Sequence, residues 1–104
     1  MTARADLDRA QSYLDAGSLT SAAATFTELL TGEAADIDNA VRAEALVGLG
    51  RVVLARGDVV RARLYASEAL AHSSVCKPAR QLMAEVAARV GAAEEAEAWQ
   101  REAR

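Results

Sequence analysis

Three glycines, Gly17, Gly57 and Gly91, recur along the chain, and the residues around them recur at the same intervals. A shift of 34 residues places Gly57 over Gly91 without a gap, and a shift of 40 places Gly17 over Gly57 when six extra residues are allowed near "TGEAADIDN". The shifts superpose mostly small or apolar residues, the pairs being Ala62 with Ala96, Ala69 with Ala103, Leu49 with Met83, Gly50 with Ala84, Ala22 with Ala62, Leu30 with Leu70 and Tyr13 with Val53. Such self-similarity predicts a fold built from three copies of one structural unit.

Each unit has one segment with helical apolar periodicity before the glycine and an alanine-rich segment after it. The composition also favours helix on helix, because 52% of the residues are hydrophobic but only 4% are aromatic, which leaves little material for a sheet. We predict an all-α fold of six antiparallel helices, joined in pairs by short turns as three stacked hairpins. The predicted spans are 3–16, 19–31, 38–56, 59–73, 77–90 and 92–103.

Residues at the predicted helix ends suit those places. The three recurring glycines suit helix C-termini, because glycine adopts the left-handed backbone conformation without a steric penalty. Ser18, Asp38 and Asp58 are candidate N-caps, and Pro78 suits a first helical turn. The local signals therefore agree with the periodicity.

Charge and length exclude several functions. The net charge is −3, which opposes the attraction to polyanions on which nucleic-acid binding depends. The N-terminal stretch "MTARADLDRAQSYLDAG" carries charges every few residues and lacks the apolar segment of a secretory signal or a membrane span. We expect a single cytoplasmic domain over residues 1–104, with no membrane insertion and no nucleic-acid partner.

The central unit carries the most detailed pattern. Its residues follow the spacing W-x2-L-G-x2-Y, then A-x3-F, then a later alanine. The aliphatic residues Leu46 and Val53 stand at the two aromatic places of the first helix. The other matching residues are Leu49, Gly50, Gly57, Asp58, Ala62 and Ala69. Ala66 replaces the second-helix aromatic residue, and Ser74 stands at the usual proline. This unit resembles a tetratricopeptide repeat (TPR).

The flanking units are more degenerate members of the same pattern. The first keeps Tyr13, Gly17, Ala22 and Phe26 but has Asp6 and Arg9 where apolar residues are usual, and the third keeps Gly91, Ala96 and Ala103 but has Arg80 at the tryptophan place. The resemblance implies a TPR-like right-handed α-solenoid with repeats at about 3–36, 43–76 and 77–104 and a longer connection at about 31–42. It also implies a non-catalytic adaptor that binds a peptide or helix of another protein in a concave groove.

The resemblance assigns the groove to the first helix of each unit. The implied partner-binding residues are Leu7, Asp8, Gln11, Asp15, Val47, Gly48, Arg51, Gln81, Leu82, Glu85 and Arg89. We single out Arg51, because a guanidinium can hold a carboxylate or carbonyl of a peptide with two hydrogen bonds. The alternative is that Arg51 pairs with an acid of the chain itself, such as Glu85 or Asp15. The basic and asparagine side chains that some relatives use to clamp a C-terminal carboxylate are missing here, the corresponding residues being Leu7, Gln11, Gly48, Pro78 and Leu82.

Gly48 and Gly50 lie inside a predicted helix, where each glycine costs about 1 kcal/mol relative to alanine. We expect Gly50 to allow the second helix of its own unit to approach closely. For Gly48 the resemblance implies a place in the groove with accessible backbone, and simple tolerance within a well-packed helix is the alternative.

His72 and Cys76 are the only residues that suggest chemistry. A thiolate and an imidazole can share a proton or a zinc ion, but zinc needs further ligands and a nucleophile needs an oriented base and an oxyanion site. We therefore expect no enzyme activity, no metal and no cofactor, with His72 favourably placed at a helix C-terminus and Cys76 as a small buried residue.

Self-association is the alternative function. Leu64 and Tyr65 can extend an apolar convex surface, and Trp99 lies on a stripe with alanines that predicts packing over Met83, Val86 or Val90. If the alanine-rich outer face of the last helix instead contacts another chain, the protein is a self-assembling subunit, with a homodimer as the simplest form.

Overall fold

The computed structural model describes residues 3–32 and 37–103. These ranges contain six α-helices and no strand: α1 (Ala3–Asp15), α2 (Leu19–Thr31), α3 (Asn39–Ala55), α4 (Val59–His72), α5 (Lys77–Arg89) and α6 (Ala93–Ala103). The all-α prediction is confirmed, and every predicted helix end agrees with the structure to within one residue. Residues 33–36 of the predicted longer connection lie outside the described residues.

Three helices end in the same way. Gly17, Gly57 and Gly91 have φ angles of 79°, 88° and 78°, which a residue with a Cβ adopts only under strain. At the first of them Gly17 N–H donates to Leu14 O over 3.0 Å, and Ser18 N–H donates to Tyr13 O over 2.8 Å. The same two bonds follow α3 and α5, so α1, α3 and α5 all end in a Schellman motif that reverses the chain.

The helix starts are less uniform. Asp38 accepts a hydrogen bond from Val41 N–H at the start of α3, and Asp58 accepts one from Arg61 N–H at the start of α4, as predicted. Pro78 lies in the first turn of α5. Ser18 occupies the N-cap position of α2, but its side chain makes no capping hydrogen bond. The prediction that Ser18 caps α2 through its side chain is therefore wrong.

The helices pack mainly along the chain order. The most extensive contacts join α1 to α2, α3 to α4 and α5 to α6; those of α2 with α3 and of α4 with α5 come next, and smaller ones join α1 to α3 and α3 to α5. Within the described ranges, α2 does not approach α4, and α4 does not approach α6, at the level of the backbone. The result is a compact molecule with a radius of gyration of 13.2 Å and extents of 42 × 26 × 19 Å.

Helix α3 separates two apolar clusters. The first cluster joins α3 to α1 and α2 and contains Leu7, Ala10, Ala22, Phe26, Leu29, Val41, Ala45, Leu49 and Val52. The second cluster joins α3 to α4 and α5 and contains Ala43, Leu46, Val47, Leu54, Ala62, Ala66, Ala69, Cys76, Ala79, Leu82, Met83 and Val86. We call these contact regions the first and the second junction. Because α3 contributes to both, all residues from 45 to 50 are buried.

The two glycines of α3 make room for different neighbouring helices. A Cβ on Gly50 would lie 2.5 Å from Leu82 Cδ2, 3.3 Å from Tyr65 Cβ and 3.4 Å from Ala62 O, so the close approach of α4 is confirmed and α5 approaches as well. A Cβ on Gly48 would lie 2.2 Å from the ring of Phe26. Gly48 is therefore required by packing against α2, and both expectations for it, an open groove position and simple tolerance, are wrong.

Candidate functional site

The exposed sides of α1, α3 and α5 border one cleft of about 410 Å³, which we call the central cleft. Its lining residues are Leu14, Asp15, Arg51, Leu54, Ala55, Glu85 and Arg89. Asp15 comes from α1, Arg51 from α3, and Glu85 and Arg89 from α5, so three helices bring four predicted groove residues together. The charges alternate in sign, which suits a polar ligand of mixed charge.

Arg51 is at the middle of this cleft and is already paired. Its Nη1 donates to Glu85 Oε1 over 2.9 Å, which is the intramolecular alternative stated for this residue. The Arg51 side chain remains 30% exposed, and a guanidinium has five N–H donors in a planar fork. One neutralising partner therefore holds the side chain in place without exhausting its capacity to bind a second acceptor.

An ion pair of the same kind, which the sequence reasoning missed, crosses the first junction. Arg4 Nη1 donates to Glu44 Oε2 over 2.6 Å, and this hydrogen bond raises the pKa of Arg4 above its ordinary value. Arg4 and Glu44 are 40 residues apart, and Arg51 and Glu85 are 34 apart, which are the two shifts that align the repeated units. Opposite charges at equivalent positions are the sequence signal that would have found both pairs.

Four of the predicted groove residues are buried and cannot contact a partner, which corrects that assignment. Leu7 and Leu82 are 0% exposed, Val47 is 3% exposed, and Gly48 lies under Phe26. Leu7 and Gly48 pack in the first junction, whereas Val47 and Leu82 pack in the second junction.

The same positions in the outer helices behave differently. Asp8, which is equivalent to Gly48, is exposed because no described helix packs on that side of α1. Gln81, which is equivalent to Val47, is exposed for the same reason on α5. Gln11 is also exposed on α1. Of the eleven predicted residues, those accessible to a partner are Asp8, Gln11, Asp15, Arg51, Gln81, Glu85 and Arg89.

The residues predicted for self-association differ in their exposure. Leu64 is 60% exposed, but Tyr65 is half-buried and packs against both apolar clusters. Trp99 is half-buried against the second cluster, which contains Met83 and Val86, so the predicted packing on those two residues is consistent with its place. Its Nε1 is 3.4 Å from Glu95 Oε1.

A second cleft, of about 370 Å³, lies where α2 and α4 diverge over α3, and sequence reasoning missed it. It is lined by Thr27, Leu30, Thr31, Arg42, Leu46, Leu49, Tyr65, Glu68 and His72. His72 thus faces a cleft with leucines in its lining. Cys76 is only 8% exposed, and burial raises the pKa of its thiol. A thiol in this environment keeps its proton at neutral pH and is a poor nucleophile.

Within residues 3–32 and 37–103, no group of three or more histidine, cysteine, aspartate or glutamate side chains is arranged to hold a metal ion. None of the six described helices combines the length and the apolar character needed to cross a membrane.

Comparison with known proteins adds no identification. The sequence matches no protein-family profile, and a search of curated proteins finds no significantly similar sequence.

Proposed function

We propose that this chain is a non-catalytic adaptor of the TPR-like class, in which three antiparallel hairpins stack as a right-handed α-solenoid. Three identical helix endings at the recurring glycines support the repeat. The contacts of α3 with both α1 and α5, and the two ion pairs at the repeat shifts, support stacking in a constant register. Such an array presents side chains from successive first helices on one rigid surface.

The central cleft is the observation that carries the proposed function. It is shared by α1, α3 and α5, and it combines the acids Asp15 and Glu85 with the bases Arg51 and Arg89. A peptide or helix of a partner protein with charges of both signs matches this lining. Because the scaffold is already packed, little ordering entropy is lost on this side when the partner binds.

Arg51→Ala is the direct test. A tagged chain is used to recover partners from the native lysate, partners are identified by mass spectrometry, and binding of each purified candidate is then measured by titration calorimetry. We expect the partner to be lost, or its affinity to fall by about tenfold or more, because a positioned charge-assisted contact is removed.

Arg63→Ala is the matched control. Arg63 also forms an ion pair between helices, with Glu95 over 2.9 Å, but it is remote from the central cleft lining. A partner retained by wild type and Arg63→Ala but lost by Arg51→Ala supports the groove. Equal recovery by all three proteins contradicts it. Circular dichroism should show the same helicity for all three.

A further inference from the structure

A third cleft, of about 500 Å³, lies on the outer side of α5 and α6. We call this surface the terminal face; its lining residues are Lys77, Gln81, Ala84, Glu85, Ala88, Gln100 and Ala103. Three of these residues are alanines; Ala84 and Ala103 are buried, whereas Ala88 is exposed and small enough to let another helix approach closely. The other four are polar or charged.

The terminal face has a covered counterpart elsewhere in the molecule. The residues that lie one repeat, or 34 positions, earlier in the sequence than its lining residues are Ala43, Val47, Gly50, Arg51, Leu54, Ala66 and Ala69. All of these except Arg51 are buried, and α5 packs on this surface with Leu82 against Gly50. The terminal face is therefore the surface on which a helix packs one unit earlier, and no described helix covers it.

The charges on this face are arranged symmetrically. Lys77 and Glu85 each lie four residues from Gln81, about 6 Å along the axis of α5 on either side. Lys77 is the one lysine of the sequence, and no ion pair to it is formed within the described residues. Glu85 accepts from Arg51 through Oε1, which leaves Oε2 able to accept a further donor.

We propose that the terminal face binds a second copy of this chain, forming a two-fold symmetric dimer in which the two α5 helices cross antiparallel near Gln81. An axis at Gln81 places Lys77 of each copy opposite Glu85 of the other, so the same attraction forms twice. Ala88, which is the exposed alanine of this face, provides the small apolar contact between the copies. The face is complementary to itself in charge.

Head-to-tail stacking of copies is disfavoured by the opposite end of the molecule. The α5 residues that cover the central unit include Leu82, Met83 and Val86, and their equivalents on α1 are Asp8, Arg9 and Ser12. These three are exposed, and Arg9 forms an ion pair with Asp6. Docking them on the terminal face would bring two charged residues and a serine to the places that apolar side chains fill in the second junction, at a cost in desolvation.

Sedimentation equilibrium on the full chain tests the dimer. We expect the mass to rise from 10.9 kDa toward twice that value with concentration. Lys77→Glu should weaken the dimer by about tenfold or more, and adding Glu85→Lys should restore it, because the exchanged charges again face each other. A wild-type monomer at every concentration overturns the proposal, and so does a dimer that Lys77→Glu leaves unchanged.

Two controls place the interface. Arg9→Glu changes the charge by the same amount on the opposite end, and we expect it to dimerise like wild type; loss of association would indicate head-to-tail stacking and overturn the two-fold arrangement. Gln81→Cys should form a disulfide between copies under mild oxidation, whereas the exposed Gln11→Cys should not. Failure of Gln81→Cys to cross-link a folded dimer overturns the position of the axis.

Discussion

The first and second junctions distribute their bulk in opposite ways. In the first, α2 contributes the large Phe26 and α3 contributes Gly48 beneath its ring. At the equivalent positions of the second, α4 contributes the small Ala66 and α5 contributes the larger Leu82. A close-packed interior requires the summed volume to fit rather than any one residue, so a large side chain can come from either helix.

Helix α3 takes part in both arrangements and therefore needs space on two sides. Gly48 and Gly50 are two residues apart, which places them about 200° apart around the helix, on nearly opposite sides. Gly48 accommodates the ring of Phe26, and Gly50 accommodates Cδ2 of Leu82. The two glycines thus serve one junction each, and packing offsets their cost in helix propensity.

The largest expected effect comes from exchanging the bulk in the first junction. Phe26→Ala should lower the free energy of unfolding by about 4 kcal/mol, because it leaves a cavity at a fully buried position. Phe26→Ala combined with Gly48→Leu imitates the pattern of the second junction and should recover part of that loss. Urea unfolding followed by circular dichroism measures both.

Gly48→Leu alone completes the cycle, because it should be severely destabilising while Phe26 is present. A positive coupling between the two substitutions would show that they share one space. If the effects simply add, the two junctions do not exchange bulk in the way that the comparison suggests.

The next prediction compares the cost of adding a methyl group beside a rigid neighbour, the ring of Phe26, with the cost beside a flexible one, the side chain of Leu82. Gly48→Ala should cost about 2 kcal/mol or more, since its Cβ would overlap an aromatic ring that cannot move aside without disturbing the cluster. Gly50→Ala should cost about 1 kcal/mol or less, because the closest atom is the end of the Leu82 side chain, which can rotate. Urea midpoints of both variants provide the measurement, and equal losses would contradict the distinction.

The smallest effect concerns pH and is specific to the second junction, which contains Cys76. Burial raises the pKa of this thiol, so the folded chain retains the proton to higher pH than the unfolded chain does. Its stabilising contribution is therefore present below the pKa of the unfolded thiol and is lost as pH rises toward the folded pKa, by at most about 1.4 kcal/mol per pH unit.

Comparison with Cys76→Ala isolates this loss, because the variant keeps every other group that titrates in the same range. We expect the stability difference between the two proteins to be constant below about pH 8 and to shift against wild type above it. Parallel stability curves from pH 7 to pH 10 would show that the thiol does not contribute.

Local features of the chain were predictable. The helix bounds and the three glycine-terminated helices depend on periodicity and on residues within one turn, and both predictions are confirmed. The lack of a capping hydrogen bond from the Ser18 side chain was not predictable, since a serine at the right position still has to adopt the right side-chain and backbone geometry.

The candidate site was predictable only in part. Arg51 and Glu85 were named in advance, and the structure joins them, because each lies on the open side of its helix. Leu7, Val47 and Leu82 were assigned to the same surface, although their apolar character suits the junctions where they are found. A position in a repeat is accessible or buried according to whether a neighbouring pair of helices covers it.

The sequence by itself determined six helices, their ends and their recurrence, since these follow from local hydrogen bonding and from the spacing of apolar residues. Only the tertiary structure decided which side of α3 faces which neighbour, that Gly48 lies beneath Phe26, and that Asp15, Arg51, Glu85 and Arg89 share one cleft. The physical reason is that these relations join residues of different helices, 22 or more positions apart, and close packing between the helices fixes them.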